Sequence, residues 1–238
     1  MKNFIIAAVG SASFIASADA GVLGYSAFYY TASNGNFVVD VFTVVSNASD
    51  RLLNVYNVNL TTTQGGSTLA TFVQQAGTAT RGWKPDATTS TRSNIVDSFM
   101  TIGVDGGAEY EGQYFASGGT GADGNFTNWS SLAPTVPVNA GWFLSPPTLP
   151  DNVAESMVGI VGVRTDSSAA AAGSNLGVWC AHFVIASGDV GARWWNATAA
   201  SKDGLTGATV TYTGTLFPAP GALALLGVAG FASRRRRA

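Results

Sequence analysis

One cysteine and one histidine in 238 residues exclude several kinds of chemistry at once. Cys180 has no partner for an intrachain disulfide. A structural zinc site needs about four ligands, and Cys180 and His182 supply only two Cys or His donors. A nucleophilic side chain working with a histidine would need a third, orienting group, and no motif provides one. Neither a Gly-x-Ser-x-Gly elbow nor a His-Glu-x-x-His helix occurs. Charge is also scarce, with Asp, Glu, Lys and Arg making up 11% of the chain. No stretch keeps a sustained 3.6-residue apolar repeat, so no amphipathic helix is expected.

What remains is rich in Gly, Thr, Ser, Asn, β-branched and aromatic residues, the composition of strands and turns. Phe37–Val45 reads Phe-Val-Val-Asp-Val-Phe-Thr-Val-Val, too uniformly apolar for a strand with one wet face, and is predicted as a central strand. Asn47-Ala-Ser-Asp50 has turn chemistry, and Leu52–Leu60 follows as a second strand, so the two are expected to form a hairpin. Further strands are predicted at Val22–Tyr30, Leu69–Gln74, Val96–Ile102, Val158–Thr165, Val178–Ala186 and Ala208–Leu216. From Gly103 to Pro150, glycine pairs and prolines break regular structure, and Ser167–Ser174, dominated by Ala169–Ala172, reads as one short helical turn or a flexible loop. No repeat, linker or second core is visible. The expected fold is all-β, a single β-sandwich with the jelly-roll as a variant, spanning residues 21–217.

Four groups of residues are candidates for chemistry. Cys180 and His182 lie two apart in a predicted strand and are expected on one face, shared with Val178, Val184 and Ala186, which makes that face core. Glu109 and Glu111, beside Asp105, have the i, i+2 spacing of paired carboxylates; glycoside hydrolysis needs two of these about 5–10 Å apart, but acids on a Gly-rich loop read as surface charge. Asp105-Gly-Gly107, Asp123-Gly-Asn125 and Asp151-Asn152 offer oxygen ligands to a loop calcium. None has EF-hand spacing, the same residues form turns, and no other cofactor is expected.

Six tryptophans complete the candidates, at positions 83, 129, 142, 179, 194 and 195. Trp179 alternates with Ala181, Phe183 and Ile185 and reads as core. Trp83, among Arg81, Lys84 and Asp86, Trp129, in the polar Asn125–Ser131 loop, and Trp194–Trp195, after Arg193, are the candidate ligand-binding residues. An indole offers an apolar face to the C–H side of a sugar ring and an N–H for hydrogen bonding. The competing role for each is to cap an open end of the sandwich. An extended chain sends Trp194 and Trp195 to opposite sides.

The two ends carry the clearest signals. Lys2, the apolar Phe4–Ala16 and the small-residue site Ala18-Asp19-Ala20 describe a secretory signal peptide over residues 1–20, with Gly21 as the mature start. Residues 218–238 consist of Pro218-Ala219-Pro220, an apolar stretch from Gly221 to Ser233, and Arg234, Arg235, Arg236 and Arg237 before the last alanine. As a helix the stretch would run about 20 Å against roughly 30 Å of hydrocarbon, so it engages a membrane transiently. The arginines hold that end on the cytoplasmic side. Lys2 and these four arginines are five of the 12 basic residues; residues 21–217 keep seven basic and 13 acidic residues, net −6, which argues against nucleic acid as a partner.

This tail resembles the PEP-CTERM sorting signal of bacteria that use exosortases, with alanine in place of the usual central glutamate. The resemblance implies export, processing near the Pro-Ala-Pro motif by an exosortase-like enzyme after signal peptidase has acted, and delivery to the cell surface or an extracellular polysaccharide matrix. Asp97–Gly103, Ala140–Phe143 and Pro146-Pro147 resemble phrases in uncharacterised exported proteins of planctomycete-type bacteria. The expected function is non-catalytic, structural or adhesive. Carbohydrate binding through loop tryptophans is the alternative, and a secreted glycan hydrolase a distant third.

Overall fold

The computed structural model describes residues 21–75, 82–85, 90–103, 114–116, 132–146, 152–167, 173–189 and 191–216. The signal peptide, the sorting tail, Trp129, Asp105, Glu109, Glu111, Asp123, Asn125 and Asp151 lie outside the described residues.

Eleven strands occur among the described residues, every pairing is antiparallel, and no α-helix is present there. They are β1 (Val22–Thr31), β2 (Phe37–Val45), β3 (Arg51–Thr61), β4 (Phe99–Met100), β5 (Tyr114–Ala116), β6 (Ala140–Leu144), β7 (Glu155–Ser156), β8 (Val163–Asp166), β9 (Leu176–Ile185), β10 (Trp194–Lys202) and β11 (Thr209–Leu216). The first sheet has the order β4-β9-β2-β1-β8, with β7 also pairing β9; the second has the order β11-β10-β3-β6-β5. The fold is all-β and sandwich-like, as its composition predicts.

The expected β2–β3 hairpin does not form. The two strands belong to different sheets, and residues 46–50 carry the chain across the sandwich. Both strands have an apolar face, and burying those faces against each other outweighs pairing their edges. Asp50 fixes the crossing from full burial: its carboxylate accepts hydrogen bonds from Ser46 Oγ at 3.1 Å, Asn47 N at 2.9 Å and Gly204 N at 3.0 Å.

Between the sheets lies one core, in which Tyr25, Val39, Val41, Ala181 and Phe183 face Leu52, Val55, Val58, Trp142, Trp195 and Ala197. Aromatic rings knit it together, with Trp195 edge-on to Tyr25 at 5.5 Å and to Trp142 at 6.1 Å. A second apolar layer covers the outer side of the first sheet. Phe28, Phe42, Val44 and Trp179 pack there beneath Phe99 and Met157, and Ala32, Val38 and Val184 form a smaller patch alongside.

The two sheets therefore differ in their outer faces. The first is apolar and carries a cover built from residues 91–100 and 155–161; the second is lined by Thr, Asn, Tyr56 and Lys202. On β11 the alternation Thr-Val-Thr-Tyr-Thr-Gly-Thr-Leu turns its threonines outward, with Thr209, Thr211 and Thr213 exposed and Leu216 buried.

Of the predicted strands, Leu69–Gln74 is mostly irregular. Leu69 bridges Thr61, and Val73 donates to Val184 O at 2.7 Å. Val96–Ile102 shrinks to the two residues of β4, and Val158–Thr165 opens with turns and becomes strand only at Val163. The missed strands include β10, whose Ala-rich sequence is held extended by its partners β3 and β11 on either side.

Candidate functional site

Two adjacent tryptophans in β10 separate the core from the surface. Trp195 is fully buried between the sheets, and Trp194, one residue earlier, points outward and is half-buried. Trp194 belongs to a strand rather than a loop, correcting the expectation for that residue. Trp83 is also fully buried, with Nε1 donating to Ala133 O at 3.0 Å and its ring edge-on to Phe72 at 5.8 Å. Neither Trp83 nor Trp195 offers a ring face to a ligand, so both leave the candidate site. Their burial follows from the core's demand for large apolar groups, which the neighbouring charges Arg81, Lys84 and Arg193 conceal in the sequence.

Around Trp194 the second sheet holds a shallow depression of about 270 Å³, lined by Asn59, Thr61, Gln64, Gly65, Trp194, Asn196 and Thr215, among others. Strand register builds it: Trp194 pairs with Thr61 and Asn196 with Asn59 on one side, and Asn196 with Thr215 on the other. Asn59 is held in place, its Nδ2 donating to Asn57 O at 3.1 Å and to Asn139 Oδ1 at 3.3 Å, while Asn139 N donates to Asn59 Oδ1 at 3.2 Å. Asn57 supplies the bend. It occupies a bulge between Tyr56 and Val58 with φ 52°, a left-handed conformation that asparagine tolerates better than most residues. One indole, three side-chain amides and two hydroxyls thus border a concavity whose chemistry is hydrogen bonding plus one apolar ring. The signal for it in the sequence was the outward threonine alternation of β11 together with Asn59 and Asn196; without the register these could not be placed beside Trp194.

Cys180 and His182 do not meet. Across β2 and β9, Val41 pairs with Ala181 and Phe42 with Trp179, so Cys180 is an extra residue on β9. This bulge shifts the alternation by one residue. Val178, Cys180, Ala181 and Phe183 enter the central core, while Trp179, His182 and Val184 face the outer layer. The predicted face shared by Cys180 and His182 is therefore corrected, as is the grouping of Trp179 with Ala181, Phe183 and Ile185. Burial pushes the Cys180 thiol up to about 12, and its Sγ lies 3.2 Å from Val41 O.

His182 is fully buried against Phe99, with ring centroids 4.9 Å apart. Its Nδ1 lies 2.7 Å from Asp40 Oδ1 and its Nε2 2.8 Å from Asn94 O. The carbonyl can only accept, so Nε2 carries its hydrogen, and neither ring nitrogen remains to exchange a proton with a substrate. The pair ties β2 and β9 to the loop above them. Asn152, one of the proposed calcium ligands, is also committed to the fold: Arg51 Nη1 donates to its Oδ1 at 2.8 Å, and its Nδ2 donates to Leu52 O at 3.3 Å. Among the described residues no group of three or more His, Cys, Asp or Glu side chains is placed to hold a metal ion.

The chain matches no protein family, no curated protein and no solved structure.

Proposed function

We propose that this chain is an exported, non-catalytic protein of the cell surface or extracellular matrix, whose β-sandwich of residues 21–217 associates with polysaccharide through the open face of its second sheet. One observation carries the binding part. The only tryptophan among the described residues that is not fully buried, Trp194, sits in a depression bordered by Asn59, Gln64 and Asn196, on a face where threonines replace apolar residues. A sugar ring needs an apolar surface for its C–H face and amides or hydroxyls for its oxygens, and this arrangement supplies both. The tail supports the location: Pro218-Ala219-Pro220, the apolar stretch and Arg234–Arg237 form a PEP-CTERM-like address, and Ala18-Asp19-Ala20 forms a signal-peptidase site. Signal peptidase and an exosortase-like enzyme are its processing partners, and contact with the membrane ends when the tail is removed.

A binding role agrees with the state of the reactive side chains. Cys180 is enclosed in the core, and both nitrogens of His182 are occupied. Fractionation with intact-mass analysis tests export and sorting together. Surface or matrix fractions should contain a product that begins at Gly21 and ends near Pro218. An intact Arg234–Arg237 terminus on cytoplasmic material would overturn the reading.

A further inference from the structure

The first sheet, on the side of the sandwich away from Trp194, carries an open pocket of about 610 Å³ between the two segments that cover it. Tyr30 and Ile95 form one wall and Ile160 another, and Val158 and Val161, 72% and 67% exposed, stand at the rim. At the inner end is Asp40, only 1% exposed. His182 occupies its Oδ1 at 2.7 Å, and Asp40 lines the pocket, where its Oδ2 is not among the buried polar atoms of the fold that lack a partner. The second carboxylate oxygen is therefore an acceptor open to the pocket, and a donor on a ligand can reach it.

The pocket's other charge is already engaged. Arg92 pairs with Glu155 at 2.9 Å and lays its guanidinium over Trp179 and Phe42, 5.6 and 5.8 Å from the ring centroids. It is held toward the floor of the outer layer and balanced by an acid, which removes the usual means of capturing an anion. The inner end therefore presents an acceptor, and the rim presents aliphatic surface.

We propose that this pocket binds a small amphipathic molecule with an aliphatic body and a hydrogen-bond-donating head, an amine or a hydroxyl, that donates to Asp40 Oδ2. The body lies against Ile95, Ile160, Val158 and Val161, covering side chains that are otherwise exposed. A head that only accepts, such as a carboxylate, would face Asp40 with no hydrogen to share and with like charge. This site is separate from the polysaccharide face, and its success or failure is independent of that reading.

Three probes of equal chain length test it: hexylamine, 1-hexanol and hexanoate, titrated into the ¹⁵N-labelled full chain while backbone amide shifts are followed. Hexylamine or hexanol should shift Ser33, Ser93 and Val158–Val161 saturably, with hexanoate at least about tenfold weaker, as expected for a like charge brought against a carboxylate. Asp40→Asn should erase that preference, because the carboxamide also offers a donor. Since Asp40→Asn also alters the contact with His182, Val161→Ser provides a second variant at an exposed position; it should weaken hexylamine and hexanol by about threefold, the loss expected from removing a partly covered apolar group. Equal binding of hexanoate, absence of saturable shifts with the donor probes, or an unchanged preference in a folded Asp40→Asn protein would each overturn the proposal.

Discussion

Cys180 and His182, two residues apart in β9, lie on opposite faces of the first sheet, because β9 has one more residue than β2 between the Val41–Ala181 and Phe42–Trp179 pairs. The bulge gives each a separate task. Cys180 fills the central core, and His182 clamps Asp40 and the Asn94 carbonyl in the outer layer.

The thiol should be inert in the folded protein. With its pKa pushed up from 9.0 to about 12 by burial, Cys180 is almost wholly protonated at pH 8, with about one molecule in 10⁴ as thiolate. Ellman's reagent at pH 8 should therefore leave it unmodified, and the same reagent in guanidinium chloride should titrate one thiol per chain. Full reaction in the native state would show that β9 opens.

Stability should fall at alkaline pH. Burial raises Tyr25 well above 10.0 and Tyr29 to about 12, as it does Cys180. Above pH 9 to 10 the unfolded chain releases these protons while the folded chain keeps them. The unfolded state then binds fewer protons, and stability declines as pH rises toward 12, by about 1.4 kcal/mol per pH unit for each group. Urea unfolding midpoints between pH 8 and 11 should be flat at first and then drop.

Removing one partner of the Asp40–His182 pair should be costly. His182→Ala leaves Asp40 buried without its ring-nitrogen partner at Oδ1, with an expected loss of about 1–3 kcal/mol. Urea denaturation checks the value, and a loss below 1 kcal/mol would mean that water replaces the imidazole.

The β3 bulge gives a backbone test. Asn57 has φ 52°, so Asn57→Gly should be tolerated or mildly stabilising, whereas Asn57→Val should lose about 1–2 kcal/mol from left-handed strain. Thermal melting of the two variants measures the difference, and equal melting temperatures would contradict the assigned bulge.

The strands that could be read from the sequence were those with an unmistakable surplus of β-branched and aromatic residues: β1, β2, β3, β9 and β11 match their predicted spans within two residues. Strand β10 was missed because Asn196-Ala-Thr-Ala-Ala-Ser201 has little intrinsic preference for extension; its partners impose it. The β2–β3 crossing was hidden because turn chemistry at Asn47–Asp50 is the same whether the chain reverses within a sheet or passes to the opposite one. Among the candidate site residues, the opposed directions of Trp194 and Trp195 were legible from strand alternation alone. The fate of Trp83 was not, since flanking charges suggested a surface loop and only the packed core reveals its burial. A one-residue bulge is likewise invisible in an alternating pattern, so strand alternation alone places Cys180 and His182 on one face.

The most direct test of the binding role separates Trp194 from its buried neighbours by affinity electrophoresis of the full chain through gels containing the exopolysaccharide of the producing cells. The wild-type protein should be retarded. Trp194→Ala should melt at nearly the same temperature yet bind about tenfold more weakly, as expected for loss of an aromatic anchor, while Trp195→Ala and Trp83→Ala should lose about 3–5 kcal/mol of stability. Retardation of Trp194→Ala equal to that of the wild type, or no retardation of the wild type, would contradict the account.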